Sequence, residues 1–521
     1  MTLEPGGRFL INTTSNKPVF ITGEDAYSME IQLPDSDVET YLADRASRGF
    51  NLIWVSLIDN IYGAHAPADF YGDSPFTGAA FSTPNETYFA HMDYLFRRAA
   101  AYGITVLLTP VYLGYGCDGT QGWCLAVQAA SEATMTGWGT YVGNRYKNFN
   151  NIIYMIGGDT DPGQTSGVKA KMNDVATAIT AADPNHLITA HNMRGESAQD
   201  VWNGYPWLTL NDIYEQPANI SSRTQVNYQR VGALPQFLVE DWYEGEHSMT
   251  ESGVREEGYW AVLSGCTLGR LFGNYAIWDF SLPSITTDPW KAQLNSQGSV
   301  GQSWLGKLFR SREHWKLMPD FDHLVATAGY GSGSSLTITA ITSDGQTIIS
   351  YIPNGNSTTL TVNMSQVISA SKTIRGWWFN PSSGATTDIG IFTNTGTHNF
   401  TPPDSNDWVL VLDDDAANLE APGSFDITSF TTGISAGDLV KESHIKIYPN
   451  PARDKVYIES TSAIGQVNVN LFTIEGKVVD RKILNFSTDK ILEISALSPG
   501  IYFVHISNET VNTNYKIIIT Q

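Results

Sequence analysis

Residues 152–161 read IIYMIGGDTD, an apolar and aromatic run that stops at two glycines and an acid. A short run of this kind fits a strand buried on both faces, as in a parallel sheet covered by helices. Gly157 and Gly158 end it where the backbone needs freedom that a side chain would deny. The same grammar recurs on either side. Upstream it marks 19–23 (VFITG), 51–57 (NLIWVSL) and 104–109 (ITVLLT); downstream, 187–190 (LITA), 212–214 (DIY), 236–240 (QFLVE) and 274–278 (NYAIW). Helix-length segments lie between the runs. SDVETYLADRASRG reads as a helix with a Ser/Asp cap that ends at Gly49, and YFAHMDYLFRRAAAYG as one that ends at Gly103. Eight strands alternating with helices predict a (β/α)8 TIM barrel over residues 1–314.

Beyond the barrel the texture changes to short alternating runs (SLTITAIT, QTIISYIP, TLTVNM, DWVLVLD) between Gly, Ser, Asn and Pro turns. This predicts a β-sandwich over 315–413. Residues 414–444 carry acidic and small residues without periodicity and read as a linker. Alternation resumes in 445–521, predicting a small C-terminal β-sandwich.

The chain has 521 residues and a formal charge of −22, with 42% hydrophobic and 16% charged residues. That composition supports a large core and excludes global disorder. Its acidity argues against nucleic acid or an anionic membrane as main partner, since phosphates would be repelled. No apolar run reaches the roughly 18 residues of a membrane span. Aromatic residues stand at 12%, including 14 Trp and 24 Tyr, the types that stack on sugar rings as well as filling cores. Cys117 and Cys124 lie in a Gly-rich segment, GYGCDGTQGWC, where a loop-closing disulfide or two thiols both fit; Cys266 reads as a buried free thiol. MTLEPGGRFL at the start has neither the basic opening nor the apolar stretch of a signal peptide, so the chain is either cytoplasmic or numbered after a removed leader.

In such barrels the active site lies at the C-terminal ends of the strands. Asp25 follows the first run, Asp159 the fourth and His191 the fifth; Glu240 closes the seventh and leads into Trp242, Tyr243 and Glu244. Tyr112 follows the third run and Trp278 closes the eighth. An acidic mouth with interleaved Tyr and Trp resembles a sugar cleft. Two carboxylates about 5–5.5 Å apart would serve retaining hydrolysis, and a wider gap inversion. Acids at loop starts also cap helices. That explanation weakens for Asp159, beside Gly-Gly, and for Glu240, at the end of a buried run where an unpaired carboxylate is costly. His191 reads either as a structural histidine or as a donor to sugar hydroxyls. Neither HExxH, GxSxG nor a Walker loop occurs, so the chemistry considered needs no metal and no cofactor.

At these residues a resemblance emerges. PVFITGEDAY, YLADRASRGFNLIWVSL, HMDYLFRRAAAYGITVLLTP, RYKNFNNIIYMIGGD, DPNHLITAHNMRG, PQFLVEDWYEGEH and VREEGYWAVLSGCTLGRLFGNYAIWDF together resemble the apiosidase-like glycoside hydrolase family. The resemblance implies a retaining hydrolase with Asp159 as acid/base and Glu240 as nucleophile, Glu244 being the rival nucleophile. Asp25, Tyr112, His191, Trp242, Tyr243, Glu244 and Trp278 are the expected substrate contacts. The opening motif, commonly Gly-Asp-Thr-Ala-Trp, is here Gly23-Glu24-Asp25-Ala26-Tyr27, which opens the question of sugar preference. IISYIPNG, WWFNPSSGAT and FTPPDSNDWVLVLD in 315–413 resemble the β domain that accompanies this barrel under a collagen-binding label. IKIYPNPARDKVYIES, NLFTIEGKVV, LSPGIYFVHI and NYKIIIT resemble a type IX secretion sorting domain of the Bacteroidetes kind. That implies export through a removed leader, an extracellular or cell-surface location, contact between 445–521 and the type IX machinery, and oxidising conditions that favour a Cys117–Cys124 bridge. The expected function is hydrolysis of a complex polysaccharide, apiose-linked pectin side chains being the suggested case. The alternatives are a non-catalytic surface glycan-binding protein and a matrix-binding adhesin.

Overall fold

The computed structural model describes residues 1–4, 7–13, 15–280, 289–356, 358–424, 445–460, 466–473, 478–485, 490–507 and 512–520. Two compact units divide the chain, Met1–Gly433 and Ile434–Gln521. Most of the stretch read as a linker, 425–444, lies outside the described residues.

The first unit opens with a parallel eight-stranded sheet: β1 (Ile21–Asp25), β2 (Leu52–Ser56), β3 (Thr105–Thr109), β4 (Ile152–Gly157), β5 (Ile188–His191), β6 (Asn211–Tyr214), β7 (Gln236–Glu240) and β8 (Gly269–Phe272). Its order is β5-β4-β3-β2-β1-β8-β7-β6, a TIM-type barrel whose seam lies between β5 and β6. Side chains close that seam: Thr189 Oγ1 donates to the Leu210 carbonyl at 3.0 Å, and the His191 ring meets Asp212. Helices α1 (Asp35–Ser47), α2 (Glu86–Ala101), α3 (Glu132–Tyr146), α4 (Val168–Ala182), α5 (Ala198–Trp202), α6 (Ile220–Tyr228), α7 (Glu251–Leu263) and α8 (Gln297–Arg310) follow the strands in turn. Most start where a side-chain oxygen accepts a first-turn amide, as Asn85, Ser131, Ser197, Thr250 and Ser296 do. α1 differs from expectation. Its N-cap is Pro34, no side chain caps it, and Asp35 and Asp37 lie within its first turn.

The eighth strand also departs from the sequence reading. It is GRLF at 269–272, and residues 274–278 form a turn in which Ile277 and Trp278 amides return to the Asn274 carbonyl. Arg270 disguised the strand. Its guanidinium is buried against Asp241 at 2.6 Å and donates to the Val254 and Leu271 carbonyls, so a charge sits inside an otherwise apolar run.

A small antiparallel sheet (Thr2–Leu3, Leu10–Asn12, Lys17–Val19) contributes Leu10 and Val19 to the barrel interior, with Met1, Leu3 and Phe9 packed against them. The core is thus extended at the N-terminal mouth.

A six-stranded antiparallel sheet follows, built from Leu317–Pro319, Ile338–Thr342, Thr347–Ile352, Thr373–Phe379, Thr386–Thr393 and Trp408–Asp414. One face carries Ile348, Ile352, Leu410 and Leu412 and packs on the three-stranded sheet Ala326–Ala328, Leu360–Asn363, Thr397–Phe400. The other carries Ile349, Tyr351, Val409 and Val411 and packs on Tyr259, Trp260 and Leu305 of α7 and α8. Arg255 of α7 forms a buried pair with Asp407 at 2.8 Å, and Tyr259 stacks on Tyr351 at 4.6 Å.

The second unit pairs a three-stranded with a four-stranded antiparallel sheet around Val456, Ile458, Val467, Val469, Leu471, Val504, Ile506 and Ile517. Burial along Gln466–Thr473 alternates as a strand between core and solvent must. Cys117 and Cys124 are bridged, with Cα atoms 5.2 Å apart, and Cys266 is free and buried.

Candidate active site

The C-terminal ends of the strands surround a cavity of about 280 Å³. Four carboxylates reach its lining: Asp25 from β1, Asp159 after β4, Glu240 from β7 and Glu246 beyond it. The walls are aromatic and rich in hydroxyls. Tyr27, Trp54, Tyr62, Tyr112 and Trp278 form one side, with Tyr27 edge-on to Trp54 at 5.8 Å and to Tyr112 at 5.0 Å. Tyr214, Tyr243 and Tyr275 complete the lining.

The GGD turn places Asp159. Gly157, Gly158 and Asp159 all have positive φ (86°, 151° and 52°), a path that two glycines permit and Asp tolerates better than most residues. A Cβ on Gly158 would lie 2.1 Å from Tyr112 Cδ2, so the missing side chain is what lets Tyr112 pack beneath the turn. Burial and the neighbouring charge of Glu240 push the Asp159 carboxyl up to about 7, while His191, Arg194 and the Tyr214 hydroxyl pull the other way. Strain at a non-glycine residue and a perturbed acid commonly coincide at functional positions.

Glu240 sits opposite, its side chain 17% exposed. The pairing of β7 with β6 shifts register between Leu238 and Glu240, an irregularity of the kind that re-aims a side chain. Its Oε2 contacts His191 Nε2 at 2.8 Å and its Oε1 accepts from the Tyr243 hydroxyl at 3.2 Å. His191 Nδ1 in turn meets Asp212 Oδ2 at 2.7 Å, and the ring stacks on Tyr214 at 4.9 Å. The two carboxylates hold the imidazole well above its usual pKa despite burial that opposes it.

Of the residues named from sequence, Asp25, Asp159, Glu240, Tyr112, Tyr243 and Trp278 meet around one cavity. Three do not join them. His191 is fully buried with both ring nitrogens committed to carboxylates, so it presents no donor to a sugar. Trp242 lies outside the lining and packs on His247 at 4.6 Å. Glu244 turns away: its Oε1 accepts the Gly298 amide in the first turn of α8 at 2.8 Å and its Oε2 the Asn274 amide at 2.9 Å. A carboxylate there stabilises the helix N-terminus.

Tyr27, which the opening motif had set near the site, joins the lining, as do Trp54, Tyr62, Tyr214, Glu246 and Tyr275, which the sequence did not single out. Tyr214 carried a usable signal, since it ends the DIY run as Glu240 ends its own. Tyr62 lies in the long connection after β2, where no local pattern marks it.

Among the described residues no group of three or more His, Cys, Asp or Glu is placed to hold a metal ion, and no helix is long and apolar enough to cross a membrane.

Comparison with known proteins yields three family matches. Residues 4–316 match “Apiosidase-like, catalytic domain”, 319–413 “Putative collagen-binding domain of a collagenase” and 446–520 “Secretion system C-terminal sorting domain”. The last marks the protein as secreted or held at the cell surface. Among solved structures, one named “Glycoside hydrolase” is 23% identical with a TM-score of 0.70, and the match covers 80% of this chain and 97% of that one. A glycoside hydrolase family 5 protein from Bacteroides vulgatus ATCC 8482 is 22% identical with a TM-score of 0.69, the match covering 80% and 93%. At these identities the likeness is one of fold. No curated protein matches the chain.

Proposed function

The chain belongs to the apiosidase-like glycoside hydrolase family, and from that premise we propose that it is a retaining hydrolase with Glu240 as nucleophile and Asp159 as acid/base. The observation that carries this reading is the pair itself. Asp159 and Glu240 line one cavity from opposite sides of the barrel, and the charge of Glu240 helps to keep the Asp159 carboxyl protonated near neutral pH.

A Glu240 oxygen attacks the anomeric carbon as the bond to the aglycone oxygen breaks, and that oxygen takes the proton of Asp159. Asp159, now a carboxylate, removes a proton from water. The water oxygen then displaces Glu240 from the sugar, and both groups return to their starting states. The aromatic wall holds the ring. A cavity of this size, at the lower end of ordinary ligand pockets, suits a short terminal unit of a glycan, and apiose-bearing pectic side chains are the first substrates to try.

On a polysaccharide panel the wild type should release a sugar with retained anomeric configuration, read by NMR early in the reaction. Glu240→Ala and Asp159→Ala should each lose activity by about three orders of magnitude or more while melting as cooperatively as the wild type. Azide should rescue Glu240→Gly and yield a glycosyl azide of inverted configuration. Inverted product from the wild type, or undiminished turnover in either variant, sinks the assignment.

A further inference from the structure

We propose that Asp212, His191, Glu240, Tyr243 and Asp25 form one hydrogen-bonded chain that holds four protons, with Asp25 a neutral acid and Glu240 a carboxylate. The chain crosses the barrel from β6 through β5 and β7 to β1. Its links are Asp212 Oδ2 to His191 Nδ1 at 2.7 Å, His191 Nε2 to Glu240 Oε2 at 2.8 Å, Glu240 Oε1 to Tyr243 Oη at 3.2 Å, and Tyr243 Oη to Asp25 Oδ2.

Each link needs one proton, because two lone pairs facing each other at that distance repel. Tyr243 has a single hydroxyl proton yet touches two carboxyl groups. His191 also touches two, which a neutral ring, with one N–H, cannot serve without a carboxyl proton. Four links therefore need four protons, and the five groups carry one net negative charge wherever each proton sits along its link.

Burial decides between the two ends of the tyrosine. Asp25 is 2% exposed, its one side-chain hydrogen bond is to Tyr243, and its Oδ1 meets no side-chain donor. An ionised carboxylate buried with one hydroxyl and one backbone amide as its donors is costly. Glu240 is more exposed and has a donor on each oxygen, so the charge belongs there. Asp25 then donates to Tyr243, whose own proton is left for Glu240. Asp212 Oδ1 meets no side-chain donor either, but Asp212 has the His191 ring directly against it.

The charged and titratable groups facing Asp25 are Glu240, Tyr243 and His191, with Tyr41 of α1 behind them. Burial raises its carboxyl well above the usual range and Glu240 adds to this; the Tyr243 hydroxyl, the Tyr27 amide and His191 oppose it. Asp25 and Asp212 are thus positioning residues, which hold the attacking group ionised and oriented through Tyr243 and His191. That consequence rests on Glu240 being the nucleophile; the proton count does not.

The test uses the full chain carrying 13C-aspartate, at pH about 9, well above the ordinary carboxylate range. Infrared difference spectra should show a protonated-carboxyl band that disappears in Asp25→Asn and moves in Tyr243→Phe. In 15N NMR the His191 ring, assigned by its loss in His191→Gln, should have both nitrogens protonated. Asp25→Leu should lower kcat about tenfold or more with a smaller change in KM, and Asp25→Asn, whose amide can donate to Tyr243, should recover most of it. A band unchanged in Asp25→Asn, a singly protonated His191, or a wild-type kcat in Asp25→Leu overturns the proposal. The two spectroscopic results hold even if no substrate is hydrolysed, so a failure of the glycosidase reading is seen separately.

Discussion

At the scale of the residue, Asp159 combines a left-handed backbone with a buried acid whose pKa lies near 7. For the proposed role it must be protonated when the aglycone leaves. The rate kcat/KM should therefore fall as pH rises through about 7, and Asp159→Asn should abolish that limb together with most activity. The same shift has a stability sign. Between its unfolded value and its folded one, the folded chain holds a proton that the unfolded chain has released, so stability declines with rising pH across about 4 to 7. Asp159→Asn, which cannot ionise, should raise the melting temperature more at pH 8 than at pH 4; an equal shift at both would contradict the raised pKa. The GGD pattern made this residue legible, because consecutive glycines before an acid record a local backbone demand. His191 stayed open between a structural and a sugar-contacting reading for the converse reason. Its partners Asp212 and Glu240 stand 21 and 49 residues away, so whether its nitrogens face sugar or carboxylate is not written nearby.

At the scale of the element, seven barrel strands were visible as apolar runs and the eighth was displaced. GRLF carries an arginine, and a scan for apolar runs passes over it to NYAIW. Within the barrel, the guanidinium of Arg270 neutralises Asp241, whose carboxyl burial still pushes up to about 7, and it saturates two backbone carbonyls. Breaking such a buried pair costs about 3–5 kcal/mol. Arg270→Met should lower the melting temperature strongly at pH 8. The loss should shrink at pH 5, where Asp241 without its partner takes up a proton and no buried charge is left uncompensated. A loss independent of pH would show that packing, and not the charge of Asp241, governs the strand. DIY, the shortest of the apolar runs, proved real because the His191–Asp212 contact and the Thr189 hydroxyl hold it across the barrel seam.

At the scale of the molecule, the first β domain is a third layer on the barrel. Thr347–Ile352 is buried throughout because Ile349 and Tyr351 face α7 while Ile348 and Ile352 face the second sheet. A chain ending at residue 316 would bare Tyr259, Trp260 and Leu305 and leave Arg255 without Asp407. It should aggregate or bind a hydrophobic dye, whereas a chain ending at 424 should stay free of aggregates and melt like the first unit of the whole protein. A soluble 1–316 fragment with unchanged stability would refute the layered account. Fold class was determined by the sequence alone, since periodicity and turn chemistry are local consequences of residue order; the sorting domain was legible through the resemblance its motifs carry, and the strand-end places of Asp159 and Glu240 through the runs they follow. Only the tertiary structure decided which side chains around the pair face the cavity, that Glu244 serves a helix and His191 a carboxylate chain, and that Tyr62 and Tyr214 join the wall. Those outcomes depend on contacts between strands distant in sequence, and on burial, which sets charge states that no local pattern encodes.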